Sequence, residues 1–156
     1  LNQKFDLVIS LEVAEHLSED SADTFIETLI DAGTLIVFGA AIPFQGGQNH
    51  LNEQWIDYWE KKFNKHNYVM HDILRPIFWD NKKIFWWYKQ NMALFSHKDF
   101  KLTDQQNNLI KNIVHPECYI NKCLTLEAIK NGEAGIKTTF IYFFRSIAYR
   151  MKNILK

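Results

Sequence analysis

The chain has 156 residues, about one domain, and its 47% hydrophobic and 15% aromatic content excludes disordered, collagen-like and low-complexity architectures. Eighteen Lys and Arg against eighteen Asp and Glu give a formal net charge of zero, which argues against a general binder of nucleic acid or other polyanions. Two cysteines, Cys118 and Cys123, are too few for a disulfide framework or a zinc ribbon; with no signal peptide and no apolar run of about 18 residues, a cytoplasmic location is expected.

Phe5–Ser10 (FDLVIS) is a short apolar run of the kind buried on both faces of a parallel strand. Ala22, Phe25, Ile26, Leu29 and Ile30 follow at helical spacing, with Ser18 or Ser21 at the start and Gly33 where the helix should stop. Leu35–Ala41 (LIVFGAA) is a second buried strand, so the three segments make a βαβ unit. A loop with Pro43 and the pair Gly46–Gly47 leads to an amphipathic helix of roughly Asn52–His66, burying Trp55, Tyr58 or Trp59, and Phe63. Tyr68–Phe78 and Phe85–Phe95 are strand-like, and Asp80-Asn81-Lys82-Lys83 between them signals a hairpin. Residues 103–156 read as helices broken near His115-Pro116 and again between Gly132 and Gly135. The organisation expected is α/β, with residues 1–97 as the sheet domain and 98–156 as a helical C-terminal extension.

Charge is unevenly placed. Residues 1–60 hold eleven carboxylates and one lysine, whereas residues 61–156 hold seven carboxylates and seventeen Lys or Arg. An acidic site with a basic partner surface and an accident of solvated faces both fit this split. Open α/β sheets bind ligands beyond the carboxyl ends of their strands. There the sequence places Glu12, Glu15 and His16 after the first strand, and Asn49, His50, Asn52 and Glu53 after the second.

The order FDLVISLEVAEHL (5–17), LIVFGAAIP (35–43), NHLNEQWIDYWEKKFNKHNY (49–68) and WDN…WWYKQNMALF (79–95) resembles the C-terminal half of class I S-adenosylmethionine-dependent methyltransferases. The resemblance covers roughly residues 4–97. It implies a Rossmann-like sheet with two parallel strands and a terminal antiparallel hairpin. It also implies S-adenosylmethionine as cofactor, with Ser10, Leu11 and Glu12 at the cofactor's edge. The chain departs from the family in two respects: its six glycines contain no G-x-G turn, and the acid expected after a second strand has no counterpart. The resemblance places that cofactor half upstream of Leu1, so the chain alone is not expected to bind or turn over S-adenosylmethionine.

Glu12, Glu15 and His16 stand at i, i+3 and i+4, so a helical turn puts them on one face, and His50 joins them from the neighbouring loop. Two carboxylates and two imidazoles make a candidate divalent-metal site, suited to Mn²⁺, Fe²⁺, Co²⁺ or Zn²⁺ better than to Mg²⁺. A similar turn is a metal site in small-RNA 2′-O-methyltransferases and ubiquinone-pathway O-methyltransferases. Two other readings of His50 stay open: a metal-free general base, with His16 as its catalytic neighbour, and a structural histidine capping the Asn52 helix. Asn49, Asn52, Glu53 and Asn91, with Gln90, are candidates for orienting a polar acceptor, although Asn52 and Glu53 also suit ordinary helix-start chemistry. Trp79, Trp86 and Trp87 read as core or hairpin packing. From Ile136 to Lys156 an apolar stripe at 136, 140, 143, 147, 151 and 154 runs beside five basic residues. That helix suits docking on its own domain, a homodimer contact or a peripheral membrane contact.

The expected function is methyl transfer to a hydroxyl of a small polar or sugar-like molecule, as part of a longer enzyme. The rivals are a small-RNA 2′-O-methyltransferase and a non-catalytic scaffold that keeps half of the fold.

Overall fold

The computed structural model describes residues 3–100 and 111–154. It is an α/β structure whose four-stranded mixed sheet has the order β1-β2-β4-β3. Strand β1 (Val8–Leu11) runs parallel to β2 (Leu35–Gly39), with Val8 opposite Ile36 and Leu11 opposite Gly39. The crossover between them is α1 (Ala22–Ala32), the βαβ unit that the apolar spacing predicts. The first strand starts later than the expected Phe5. Phe5 itself makes only an isolated parallel bridge to Gly33, its amide donating to the carbonyl of Ala32 at 2.8 Å.

Helix α2 (Ile56–Asn64) is shorter than the expected Asn52–His66, because residues 51–55 are irregular and the chain enters the helix only after Trp55, whose backbone is extended. Its buried face is Ile56, Trp59 and Phe63. Both α1 and α2 supply the same core, in which Ile26 and Leu29 meet Ile36 and Phe38 of β2, Phe95 of β4 and Met70 of β3. Aromatic packing dominates it: the Phe63 and Phe95 rings stack at 4.0 Å, and Phe38 meets Trp59 at 5.2 Å and Phe63 at 5.5 Å. Burying rings of this size is the main source of stability in so small a sheet.

Strands β3 (Tyr68–His71) and β4 (Ala93–His97) are antiparallel neighbours, and β4 also pairs antiparallel with β2. The expected tight hairpin between them does not form. Residues 72–92 instead hold two short helices, α3 (Leu74–Phe78) and α4 (Trp86–Asn91). Pro76 has no amide to give to a ladder, and Arg75 is buried with Asp72 at 2.6 Å. The Asn81 turn is present, with the Lys83 amide donating to its side chain at 2.9 Å, but it joins helices rather than strands. Gln90 and Asn91 consequently lie at the end of α4 and not in the last strand.

By compactness the chain divides into residues 1–115 and 116–156. The first unit runs past residue 97: Arg75 donates to the Lys111 carbonyl at 2.9 Å, and the His115 amide donates to Gln90 at 2.8 Å. Residues 111–115 are irregular rather than helical, and the helix expected over 103–110 lies outside the described residues. The second unit contains α5 (Pro116–Lys130) and α6 (Ile136–Ile154), parted by Gly132 and Gly135 at φ +75° and +78°. Among the described residues no helix is long and apolar enough to cross a membrane.

Candidate functional site

Beyond the carboxyl ends of β1 and β2 the chain turns sharply on both sides of a cavity of about 320 Å³. After β1, Glu12 takes a left-handed conformation (φ 55°), and a single 3-10 turn, Ala14–His16, follows. After β2, the loop from Ala40 to Gln54 bends through left-handed Phe44, Gly46 and Asn49. The Glu53 carboxylate organises this loop by accepting from the amides of Phe44 and Gly46, each at 2.8 Å.

Three groups converge at the cavity. Ligand atoms of Glu15, His16 and His50 lie within 4.8 Å of one another, and the two imidazoles meet edge to face at 4.9 Å. Each ring is oriented through Nδ1: His50 to the Glu53 carboxylate at 2.9 Å, and His16 to the Asn49 carbonyl at 3.3 Å. Those oxygens accept a hydrogen bond from the Nδ1–H, which puts each ring's lone pair on Nε2. Gly47 holds the His50 ring closely, since a Cβ built there would fall on its Nε2 and Cε1 atoms. Glu15 is fully buried, and both of its carboxylate oxygens lack a hydrogen-bond partner. Burial pushes its pKa up; its own amide and that of Ala41 lie close enough to oppose this in part, yet neither completes a hydrogen bond. Its backbone carbonyl is well used, accepting from the amides of Leu51 and Asn52 at 2.8 and 3.0 Å, which ties the two turns together.

Two orphaned carboxylate oxygens beside two oriented imidazole lone pairs fit a divalent cation. Unpaired buried carboxylates are costly, whereas a metal-bound histidine commonly gives its other ring nitrogen to a carbonyl or carboxylate. The donor set of one carboxylate and two imidazoles suits Mn²⁺, Fe²⁺, Co²⁺ or Zn²⁺.

Glu12, the fourth member of the expected set, is not in this cluster. Its left-handed backbone breaks the helical phase that i, i+3, i+4 spacing requires. Its oxygens instead accept from Asn91 at 2.8 Å and Gln45 at 3.1 Å. Burial pushes its pKa up, Glu15 nearby adds to that, and the Asn91 and Gln45 hydrogen bonds oppose it. Gln45 in turn accepts from Asn91 at 3.0 Å and Gln90 at 3.2 Å, so a buried amide network props the Glu12 side of the cavity.

Of the predicted acceptor-binding residues, none lines this cavity. Asn49 is exposed and contributes its carbonyl to His16; Asn52 is buried, accepting from Gln54 at 2.9 Å; Glu53 serves the loop and His50; Asn91 serves Glu12. Ser10, predicted at the cofactor's edge, is buried with an unpartnered Oγ, and Leu11 packs beside Gly39. The residues missed are Trp86, Trp87 and Tyr88, which form the opposite wall. The Trp87 ring stacks on Phe85 at 4.5 Å and meets Trp86 at 5.5 Å. Their aromatic run is visible in the sequence, but only the α4 helix turns it toward the cavity. Trp79 behaves as predicted packing, its ring 4.5 Å from that of His115.

No protein-family model, no curated protein and no solved structure matches this chain.

Proposed function

We propose that this chain is the acceptor-binding half of a class I S-adenosylmethionine-dependent methyltransferase, and that the enzyme methylates a hydroxyl of a small polar, sugar-like molecule. The segment order of residues 5–95, a parallel pair followed by antiparallel strands, and a cavity at the carboxyl ends of that pair support the reading. The observation that carries it is the buried, unpartnered Glu15 carboxylate facing two oriented imidazoles.

The residues present do not fit S-adenosylmethionine as a whole. Ser10 and Leu11 offer one edge of a pocket, both Glu12 oxygens are taken, and the sequence has no G-x-G turn. Donor binding is therefore assigned to a longer enzyme of which this chain is part, and this chain acts on the acceptor. Glu15, His16 and His50 would hold a divalent cation, which would supply charge that lowers the pKa of an acceptor hydroxyl. Glu53 keeps the His50 proton on Nδ1, so the other ring nitrogen would ligate such a cation or, without one, would take the hydroxyl proton. The rings of Trp86 and Trp87 give the cavity an apolar wall for the C–H face of a sugar. Carboxylates at Glu12 and Glu15, which line the cavity, favour a neutral acceptor over the phosphate backbone of RNA.

Methyl transfer by the longer enzyme to simple sugars, with and without a chelator, tests the proposal. Activity that a chelator removes and Mn²⁺, Fe²⁺, Co²⁺ or Zn²⁺ restores is the expected result. Activity indifferent to chelation would remove the metal and leave His50 as the base. An enzyme that methylates no hydroxyl acceptor would overturn the reading.

A further inference from the structure

The helical unit of residues 116–154 has almost no interior. Among its described residues only Cys118 is buried. A unit of this size cannot hold itself together on so little burial, so its apolar surface belongs against something else. On α5 the exposed apolar residues are spread around the helix, but on α6 they are ordered. Ile136, Phe140, Phe143, Phe144, Ile147 and Met151 recur at helical spacing and form one stripe. All are exposed, from 40% at Ile147 to 77% at Ile136.

Charge distinguishes what covers the stripe. Residues 136–156 hold five Lys or Arg and no Asp or Glu. Lys137 and Arg150 flank the stripe on either side, and Arg145, Lys152, Tyr142 and Tyr149 lie behind it. A second copy of the same face would bring five more positive charges with no carboxylate to pair them, which disfavours a self-complementary dimer through α6. Anionic lipid meets both requirements at once: acyl chains for the stripe and headgroups for the flanking cations. The helix is not apolar enough to cross the bilayer, so it lies along it, about 28 Å at 1.5 Å per residue.

We propose that α6 is an in-plane anchor that binds the chain to an anionic membrane surface. This inference is independent of the chemistry proposed for the cavity. Flotation of the full chain with vesicles tests it. Binding is expected to vesicles of mixed phosphatidylcholine and phosphatidylglycerol, and not to phosphatidylcholine alone, with affinity falling as salt rises. Reversing both flanking charges, Lys137→Glu with Arg150→Glu, should weaken binding about twentyfold or more. Phe143→Glu should abolish it while circular dichroism stays unchanged. Phe143→Trp gives a second readout: its added fluorescence should be quenched by lipids brominated in the acyl chains. A chain that stays unbound with both vesicles overturns the proposal in favour of a protein partner. Equal binding to both vesicles overturns the role of charge. Sedimentation as a dimer that Phe143→Glu dissociates would show that a second copy covers the stripe instead.

Discussion

Glu15 is the residue on which the site turns. Its carboxylate is buried and unpartnered, and burial pushes its pKa above the ordinary value of 4.5. Because the folded-state value is raised, the folded chain binds more protons than the unfolded one just above that ordinary range. Without metal, the contribution of Glu15 to stability is therefore fullest at low pH and declines as pH rises through the raised value. A bound cation needs the ionised form, so its stabilisation has the opposite slope. Mn²⁺ at a hundred times its dissociation constant should add about 2.7 kcal/mol near neutral pH, and the gain should shrink as pH falls through the raised value. Thermal melts with and without Mn²⁺ across that range would show it. Glu15→Gln should abolish the metal-induced rise; a variant that kept the full rise would exclude Glu15 as a ligand. Gly47 gives a second expectation at this scale. Alanine there displaces His50 from its Glu53-oriented position, so Mn²⁺ affinity measured by titration calorimetry should fall about 10–100-fold. Glu15, His16 and His50 were legible from the sequence, since local spacing and the end of a predicted strand suffice to bring them together. Glu12 lines the same cavity but stands outside that cluster because its backbone is left-handed, and a left-handed residue leaves no sign in the pattern of polar and apolar positions.

At the scale of elements, period and composition carried α1, β2 and α2 well. A helix with Ile26 and Leu29 on one face and a run such as LIVFG have few alternatives. The same reasoning failed for residues 72–92. Aromatic and apolar residues there read as strand, but the decision belonged to Pro76, to the buried Arg75–Asp72 pair, and to the amide network of Gln90 and Asn91 with Gln45, all tertiary matters. Trp86 and Trp87, which the sequence reads as core or hairpin packing, line the cavity from α4 instead. The core makes a contrast that can be measured. Phe63 is fully buried and stacks on Phe95, whereas Phe85 is 64% exposed although it stacks on Trp87. Urea denaturation should show Phe63→Ala destabilising the chain by about 3–5 kcal/mol. Phe85→Ala should stay within about 0.5 kcal/mol. Similar values for both would mean that the aromatic core does not hold the sheet.

For the molecule as a whole, the sheet order matters most at its margin. Strand β1 pairs only with β2, so along its outer edge the backbone amides and carbonyls have no ladder partner among the described residues. Proteins usually blunt such an edge with charge, proline or a bulge, and β1 has none of these. Leu7, just before it, and Ile9 within it are instead 45% and 63% exposed. An open ladder beside exposed apolar side chains is a template for pairing with another chain. In dilute buffer the 156-residue chain should therefore self-associate through β1, with light scattering that rises steeply with concentration. A lysine at position 9 sits on an exposed face and leaves the Ile9–Val37 backbone pairing intact. Ile9→Lys should thus suppress the scattering and leave the thermal melt within a few degrees. Phe143→Glu, which alters the stripe of α6 instead, provides the control. If Phe143→Glu suppressed the scattering and Ile9→Lys did not, association would belong to the helical unit, and the edge of β1 would be inert as it stands.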